Sequence, residues 1–164
     1  MERPMQKLYH CTLAQNLESI RKAGLLPRKG LLAEKFYPDA EKLIYAVDED
    51  RKGRLIAIIT GQMARNDLVQ WSKSYQFEDF KNDLITHGAV VVFQTTAFCC
   101  RRNCKEPGHP PSVEVGDWYS RESVSNKSIE REMVGQEMLD WLKPHEMDFI
   151  YRYRDRLRSW CAGK

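Results

Sequence analysis

Lys7-Leu8-Tyr9-His10-Cys11, near the start of the chain, is the stretch on which the fold prediction depends. Its composition predicts a short strand. Thr12 and Gln15 then match a T-x-x-Q capping box, which is typical of a helix start. Apolar residues follow at helical spacing, namely Leu13, Leu17 and Ile20. Gly24 can close this helix in the left-handed conformation, so we predict a strand, a helix and a terminating glycine.

The rest of the chain predicts an α+β fold in one domain, residues 1–164. A second helix is predicted from Phe77 to about Gly88, and segment 54–63 fits either a helix or a buried strand. Segment 147–154 alternates apolar and polar residues, and this period of two predicts a final strand. The predicted strands are 43–47, 89–93, 118–119, 134–141 and 147–154. We therefore expect helices early in the chain and mainly strands late.

Composition narrows the functional classes. The chain has 164 residues and a net charge of +3, which is too small to indicate nucleic-acid binding by itself. It has no apolar run of bilayer length and no apolar signal core near Met1, so we expect a cytoplasmic protein without membrane contact. Five cysteines, with Cys99 and Cys100 adjacent, favour reduced thiols over a disulfide framework.

Three polar residues, His10, Tyr45 and Glu137, lie on or at the end of predicted strands. Taken singly, each is typical of a structural residue. Cys11 adjoins His10, but neighbouring residues of a strand point to opposite faces, so we do not expect a Cys–His nucleophile pair.

The opening segment changes this interpretation. Leu8-Tyr9-His10-Cys11-Thr12, then Asn16-Leu17-Glu18-Ser19-Ile20, then Gly24-Leu25-Leu26, resembles the start of the ADP-ribosyltransferase superfamily in its His-Tyr-Glu branch. The likeness covers about the first 26 residues and is closest to the DNA-modifying ADP-ribosyltransferase toxins of bacterial toxin–antitoxin pairs. It implies a split β-sheet core and NAD as a substrate. An antitoxin or immunity protein is the partner that it suggests.

The resemblance also implies roles for individual residues. His10 would hold the ribose on the nicotinamide side of NAD, and Thr12 and Asn16 would shape that pocket. Tyr45 would stack on the nicotinamide ring, and Glu137 would be the catalytic glutamate at the end of a late strand.

The proposed chemistry needs such a carboxylate. Breaking the bond between nicotinamide and ribose builds positive charge on the ribose, which a nearby carboxylate stabilises. We prefer Glu137 because it lies inside an apolar predicted strand, but Glu130 and Glu132 are alternatives. Arg28 or Arg51 can contact the NAD phosphates, since a guanidinium group matches phosphate geometry.

The acceptor of the ADP-ribose is left open by the sequence. The likeness to DNA-modifying toxins and the alternating arginines of segment 152–158 favour DNA or RNA, while a protein acceptor is an alternative. An RNA 2′-phosphotransferase and a catalytically degenerate binding module are two further hypotheses. A zinc site is a separate possibility, suggested by Cys99, Cys100, Cys104 and His109, although their spacing is unusual for zinc.

Overall fold

The computed structural model of the chain describes residues 4–28, 42–100 and 118–162. These residues form a mixed α+β structure with small antiparallel sheets. The strands are β1 (Gln6–Leu13), β2 (Ile44–Ala46), β3 (Gly88–Thr95), β4 (Cys99–Cys100), β5 (Trp118–Ser120) and β6 (Ile129–Val134). The α-helices are α1 (Leu17–Ala23), α2 (Gly53–Arg65), α3 (Phe77–His87), α4 (Gly135–Leu142), α5 (Glu146–Asp148) and α6 (Arg154–Ala162).

The six strands form two three-stranded sheets. The first sheet has the order β1-β3-β6 and the second has the order β2-β5-β4. Across the first sheet, His10 lies opposite Val91, and Val91 lies opposite Glu132. Since directly opposed residues share a face, His10 and Glu132 lie on the same face, two strands apart.

Each face of the first sheet packs against its own hydrophobic cluster. One, which we call the helix-side cluster, includes Val90 and Val92 and packs against α2, α3, α4 and α6. The other, the sheet-side cluster, includes Ala89, Val91 and Phe93 and packs against α1 and the second sheet. The alternation of valines in β3 therefore supplies both clusters, and β3 is buried on both faces.

Several predicted elements are confirmed. Residues 89–93 lie in β3, residues 118–119 lie in β5, and the helix predicted from Phe77 is α3. Residues 44–46 of the predicted strand 43–47 form β2. The ambiguous segment 54–63 is helical and lies within α2.

The strand predicted over residues 134–141 is wrong, because only Val134 belongs to a strand and α4 begins at Gly135. Gly135 has a φ of 62°, which breaks the extended backbone at this point. Met138, Leu139 and Leu142 then face the helix-side cluster at helical spacing. The apolar run in this segment is thus one face of a short helix.

The final strand predicted over residues 147–154 is also wrong. This segment comprises the end of α5, the π-helical stretch Phe149–Tyr153 and the start of α6. Phe149, Tyr153 and Leu157 are buried four residues apart, which is a helical period that the shorter alternation concealed. The expectation of mainly strands late in the chain is therefore incorrect.

The capping box predicted at Thr12 does not form. β1 extends through Thr12 to Leu13, and a short 3-10 turn, Ala14–Asn16, separates it from α1. Gly24 does end α1, with a φ of 76° and its N–H donating to the carbonyl of Ile20 at 2.8 Å. The predicted order of strand, helix and glycine is thus correct, but the predicted cap is not.

Candidate functional site

The two sheets meet where β1 passes β2. The main chains of Tyr9 and Val47 exchange two hydrogen bonds, at 2.9 and 3.0 Å. Further along the same side of β2, Arg28 and Leu43 exchange two longer ones, both at 3.3 Å. The carbonyl of Tyr45 lies between these two bridges, and His10 reaches it. The candidate site is therefore the split between the sheets, beside Tyr45.

His10 is fixed in one tautomer by its contact in this split. Its Nδ1 lies 2.6 Å from the carbonyl oxygen of Tyr45. A carbonyl oxygen can only accept, so Nδ1 must carry a proton and donate it. In the neutral ring Nε2 then has a free lone pair. Nε2 is thus the atom of His10 that can accept a hydrogen bond in its predicted role as an anchor.

The environment of His10 favours this neutral form. Burial lowers the pKa of His10, and the positive charge of Arg28 lowers it further, while the hydrogen bond to Tyr45 acts in the opposite direction. The net pKa lies below the ordinary histidine value. A neutral imidazole at physiological pH is suited to accept a hydrogen bond from a substrate hydroxyl.

Thr12 and Asn16, both predicted to shape the pocket, contact each other. The side-chain amide of Asn16 donates to the hydroxyl of Thr12 at 3.1 Å. Thr12 is buried on β1 two residues after His10, so both point to the sheet-side face. This hydrogen bond ties the turn before α1 to the strand that carries His10.

Tyr45 contributes its main-chain carbonyl to the site, while its ring lies on the opposite face of β2. Ile44 and Ala46 belong to the sheet-side cluster, so alternation along β2 turns the half-buried Tyr45 ring to the other face. Tyr119 lies directly opposite Tyr45 and shares that face. Among the predicted phosphate contacts, Arg28 is exposed beside His10, and Arg51 lies in the 3-10 turn Glu49–Arg51 after β2.

Cys11 and His10 lie on opposite faces of β1, as predicted. Cys11 is 3% exposed within the helix-side cluster, and burial raises the pKa of its thiol to about 12. A thiol with that pKa stays protonated at neutral pH, which makes it a poor nucleophile.

Glu137 does not occupy the position for which it was chosen. It lies in the first turn of α4, its side chain is 60% exposed, and it forms an ion pair with Arg131 at 3.0 Å. Arg131 lies opposite Val92, whose side chain belongs to the helix-side cluster, away from the face of His10. The burial that favoured Glu137 over its neighbours is therefore absent.

The two alternative glutamates are also held by partners outside the split. Glu132 shares the face of His10 but lies two strands away, about 10 Å at ordinary strand spacing. Both of its oxygens accept hydrogen bonds from Arg21, at 2.8 and 2.6 Å. Glu130 contacts Gln94 and lies 3.4 Å from Lys7.

Glu122 is a carboxylate that the sequence analysis did not consider. Ser120 pairs with Ile44 on one side of β2, whereas Val124 pairs with Leu25, in the segment that runs along the other side. The three residues between them link these two sides, and Glu122 is their only carboxylate. The signal by which the sequence could have pointed to Glu122 is its position, three residues after the predicted strand 118–119.

The Glu122 link is held at both ends. The Ser120 hydroxyl is buried, accepts from the Glu122 N–H at 2.9 Å and donates to the Glu122 carbonyl at 3.1 Å. Val124 exchanges two main-chain hydrogen bonds with Leu25, both at 2.9 Å. These contacts fix the backbone of Glu122 while its side chain stays exposed.

The basic stretch 152–158 does not form the single charged face that a strand would give. In a helix, successive positions turn by about 100°, so residues two apart point in different directions. Arg152 lies 3.8 Å from Asp148, and Arg158 lies over the ring of Trp71. The arginines are thus distributed around the helix, which weakens the argument for a nucleic-acid surface there.

The zinc hypothesis is not addressed by the structure, because Cys104 and His109 lie outside the described residues. Among the described residues, no group of three or more His, Cys, Asp or Glu side chains is arranged to hold a metal ion. None of the helices in that part of the chain has the length and apolar character needed to cross a membrane.

Comparison of the chain with protein-family models, with curated proteins and with solved structures finds no match.

Proposed function

We propose that the chain is an NAD-dependent mono-ADP-ribosyltransferase with an ADP-ribosyltransferase-like split sheet. The observation that carries the proposal is the donation of the His10 Nδ1 proton to the Tyr45 carbonyl at the split between the sheets. It leaves Nε2 as a neutral acceptor, as the binding of a ribose hydroxyl requires. The resemblance of the segment around His10 to this superfamily supports the same role.

The other residues of the split supply complementary chemistry. The exposed guanidinium of Arg28 is suited to the diphosphate of NAD. Tyr45 supplies the carbonyl that orients His10, while its half-buried ring, which the resemblance assigns to nicotinamide, lies on the other face of β2 with Tyr119. Thr12 and Asn16 stabilise the end of β1 through their mutual hydrogen bond.

We assign the catalytic carboxylate to Glu122, in place of Glu137. In the proposed step the nicotinamide–ribose bond breaks and nicotinamide leaves with the bonding electron pair. An acceptor nucleophile bonds to the same ribose carbon, and Glu122 accepts its proton. A carboxylate at this position also stabilises the positive charge that develops on the ribose.

The acceptor is proposed to be a macromolecule, and the sequence resemblance favours a nucleic acid. The test uses NAD labelled in the nicotinamide ring and NAD labelled in the adenylate, incubated with the purified chain. Parallel reactions contain buffer alone, DNA, RNA or cell-extract protein. We expect nicotinamide release in every active reaction and adenylate label on one macromolecule. The absence of nicotinamide release in all four reactions would refute the proposal.

The choice of carboxylate gives a direct prediction. Glu122→Gln keeps the shape of the side chain but removes its charge, so we expect transfer to fall by at least about 100-fold. Glu137→Gln, at an exposed ion pair, is the matched control and should stay close to the wild-type rate. Binding of NAD, measured by calorimetry, should change little in either variant. If Glu137→Gln is inactive and Glu122→Gln is active, the catalytic carboxylate is that of Glu137, on α4.

A further inference from the structure

The C-terminal helical segment carries an exposed apolar patch. The segment comprises α5, the π-helical stretch Phe149–Tyr153 and α6. The patch consists of Met147, Ile150 and Tyr151, which are 52%, 41% and 75% exposed. Six large apolar residues are exposed in the described part of the chain, and three of them lie within these five positions. Such clustering indicates a contact surface, whereas a single exposed apolar residue does not.

Positions four apart stay on one side of this segment, although part of it is π-helical. The structure shows this period in the row that is buried in the helix-side cluster, which comprises Phe149, Tyr153 and Leu157. Glu146, Ile150 and Arg154 have the same spacing, so they form a second row, which we call the Ile150 row. Met147 and Tyr151 follow Glu146 and Ile150 by one position and form the adjacent row. The apolar patch thus belongs to two neighbouring rows of one helical surface.

The Ile150 row has opposite charges at its two ends. The carboxylate of Glu146 lies four positions before Ile150, and the guanidinium group of Arg154 lies four positions after it. Neither side chain forms a hydrogen bond or an ion pair with any other residue that the structure describes. The Nε of Arg154 is buried without a hydrogen-bond partner. Two unpaired charges of opposite sign thus flank the apolar patch.

These charges restrict the kind of partner. A nucleic acid or an anionic membrane would be attracted by Arg154, but it would be repelled by three exposed carboxylates of the segment, those of Glu146, Asp148 and Asp155. The partner must instead present an apolar centre between a basic group opposite Glu146 and an acidic group opposite Arg154. A second copy of this chain has that order of groups when the two segments run antiparallel.

We propose that two copies of the chain associate through the C-terminal helical segment, around a two-fold axis that passes beside Ile150. The two segments then run antiparallel, and each Glu146 lies opposite Arg154 of the other copy. The interface has the same residues on both sides, so this pair of opposite charges forms twice. The side chains of Met147, Ile150 and Tyr151 are covered around the axis. This association is independent of NAD and of the residues at the split between the sheets.

The position of the axis follows from the two rows. An axis beside Tyr151 would set Met147 opposite Asp155, an apolar side chain against an exposed carboxylate. An axis beside Ile150 sets the two isoleucines against each other and gives both charges a partner. Contact through one helical segment of each copy buries less area than a standard stable interface, so we expect a reversible dimer.

The test is sedimentation velocity of the full chain from about 5 to about 500 μM, a range suited to a reversible dimer. We expect the mean sedimentation coefficient to rise from that of a monomer towards that of a dimer. Arg154→Glu and Glu146→Arg each set like charges opposite each other at both ends of the interface, so each should weaken the dimer at least about tenfold. Lys127→Glu is the matched control, because it makes the same charge change as Arg154→Glu at an exposed site outside the segment. It should dimerise as the wild type does.

A mixture of the two charge variants tests the two-fold arrangement itself. When Arg154→Glu and Glu146→Arg are mixed in equal amounts, both facing pairs of a mixed dimer again have opposite charges. The mixture should therefore recover the association that each variant has lost, which also shows that both variants are folded. A wild-type chain that stays monomeric over the whole concentration range would overturn the proposal. So would charge variants that dimerise as the wild type does, or a mixture that does not recover association.

Discussion

At the scale of single residues, the sheet-side position of His10 gives it a definite proton arrangement. Its Nδ1 donates to Tyr45, and burial together with Arg28 lowers its pKa. The sequence was enough to suggest His10 as a hydrogen-bonding anchor. The tautomer could not, because it depends on a carbonyl 35 residues away along the chain.

This arrangement predicts how stability depends on pH. The pKa of His10 is lowered on folding, so the unfolded chain takes up the proton more readily than the folded chain. The stability from neutral His10 is fully present above the unfolded value, about 6.5, and is lost as pH falls below it. In urea unfolding, the free energy of unfolding should therefore fall more between about pH 7.5 and about pH 5.5 in the wild type than in His10→Gln.

The exposed histidine His145 provides the control for this measurement. His145→Gln should keep the full pH dependence of the wild type, because this variant leaves the hydrogen bond between His10 and Tyr45 in place. A pH dependence unchanged by His10→Gln would show that His10 is not held in the neutral form.

At the scale of elements, the end of α1 is joined to the segment that follows Glu122. The side-chain amide of Asn126 donates to the Arg21 carbonyl at 3.0 Å, near the last turn of α1. The main chain of Val124 lies against Gly24, where a Cβ would come within 2.0 Å of the Val124 carbonyl oxygen. Gly24 is thus required by this close approach as well as by its positive φ.

Gly24→Ala should therefore be strongly destabilising. A Cβ at this position is strained by the backbone and collides with main-chain atoms, so we expect a loss of more than about 2 kcal/mol in the free energy of unfolding. Gly53→Ala is the matched control, because Gly53 lies at the start of α2 with open space around it and no positive φ. It should be neutral or stabilising by up to about 1 kcal/mol. Similar urea midpoints for the two variants would contradict this account.

At the scale of the whole molecule, the first sheet separates two hydrophobic clusters, and the C-terminal helix belongs to one of them. Phe149, Tyr153 and Leu157 bury one side of this helix in the helix-side cluster. The ring of Phe80, on α3, stacks on those of Phe149 and Tyr153, with centroids 4.9 and 5.7 Å apart. Residues far apart in the chain thus complete the same cluster.

Leu157 provides a test of this packing. It is fully buried, so Leu157→Ala should lower the free energy of unfolding by about 2–5 kcal/mol through lost contacts and the cavity left behind. Ile150, on the same helical segment, is 41% exposed, and Ile150→Ala should cost less than about 1 kcal/mol. Equal losses in urea unfolding would indicate that Leu157 does not lie in the cluster.

The sequence by itself determined the mixed α+β class, the order of strand, helix and Gly24 at the start, and the buried strand around Val91. These features are set by local properties, namely the period of apolar residues and the backbone freedom of glycine. Where two periods were compatible with one segment, as at 134–141 and 147–154, the sequence prediction was wrong. The choice there depends on which surface the segment packs against, and local pattern carries no information about that surface.

The tertiary structure alone decided which polar residues meet. It joined His10 to the Tyr45 carbonyl, turned Glu137 outward to Arg131 and placed Glu122 in the link between the pairings of Ser120 and Val124. His10 and Tyr45 are 35 positions apart in the chain, and their approach follows from strand register and from the link between the sheets. The opening segment thus identifies His10 as a candidate anchor. Its hydrogen bond in the split between the sheets is a property of the folded chain.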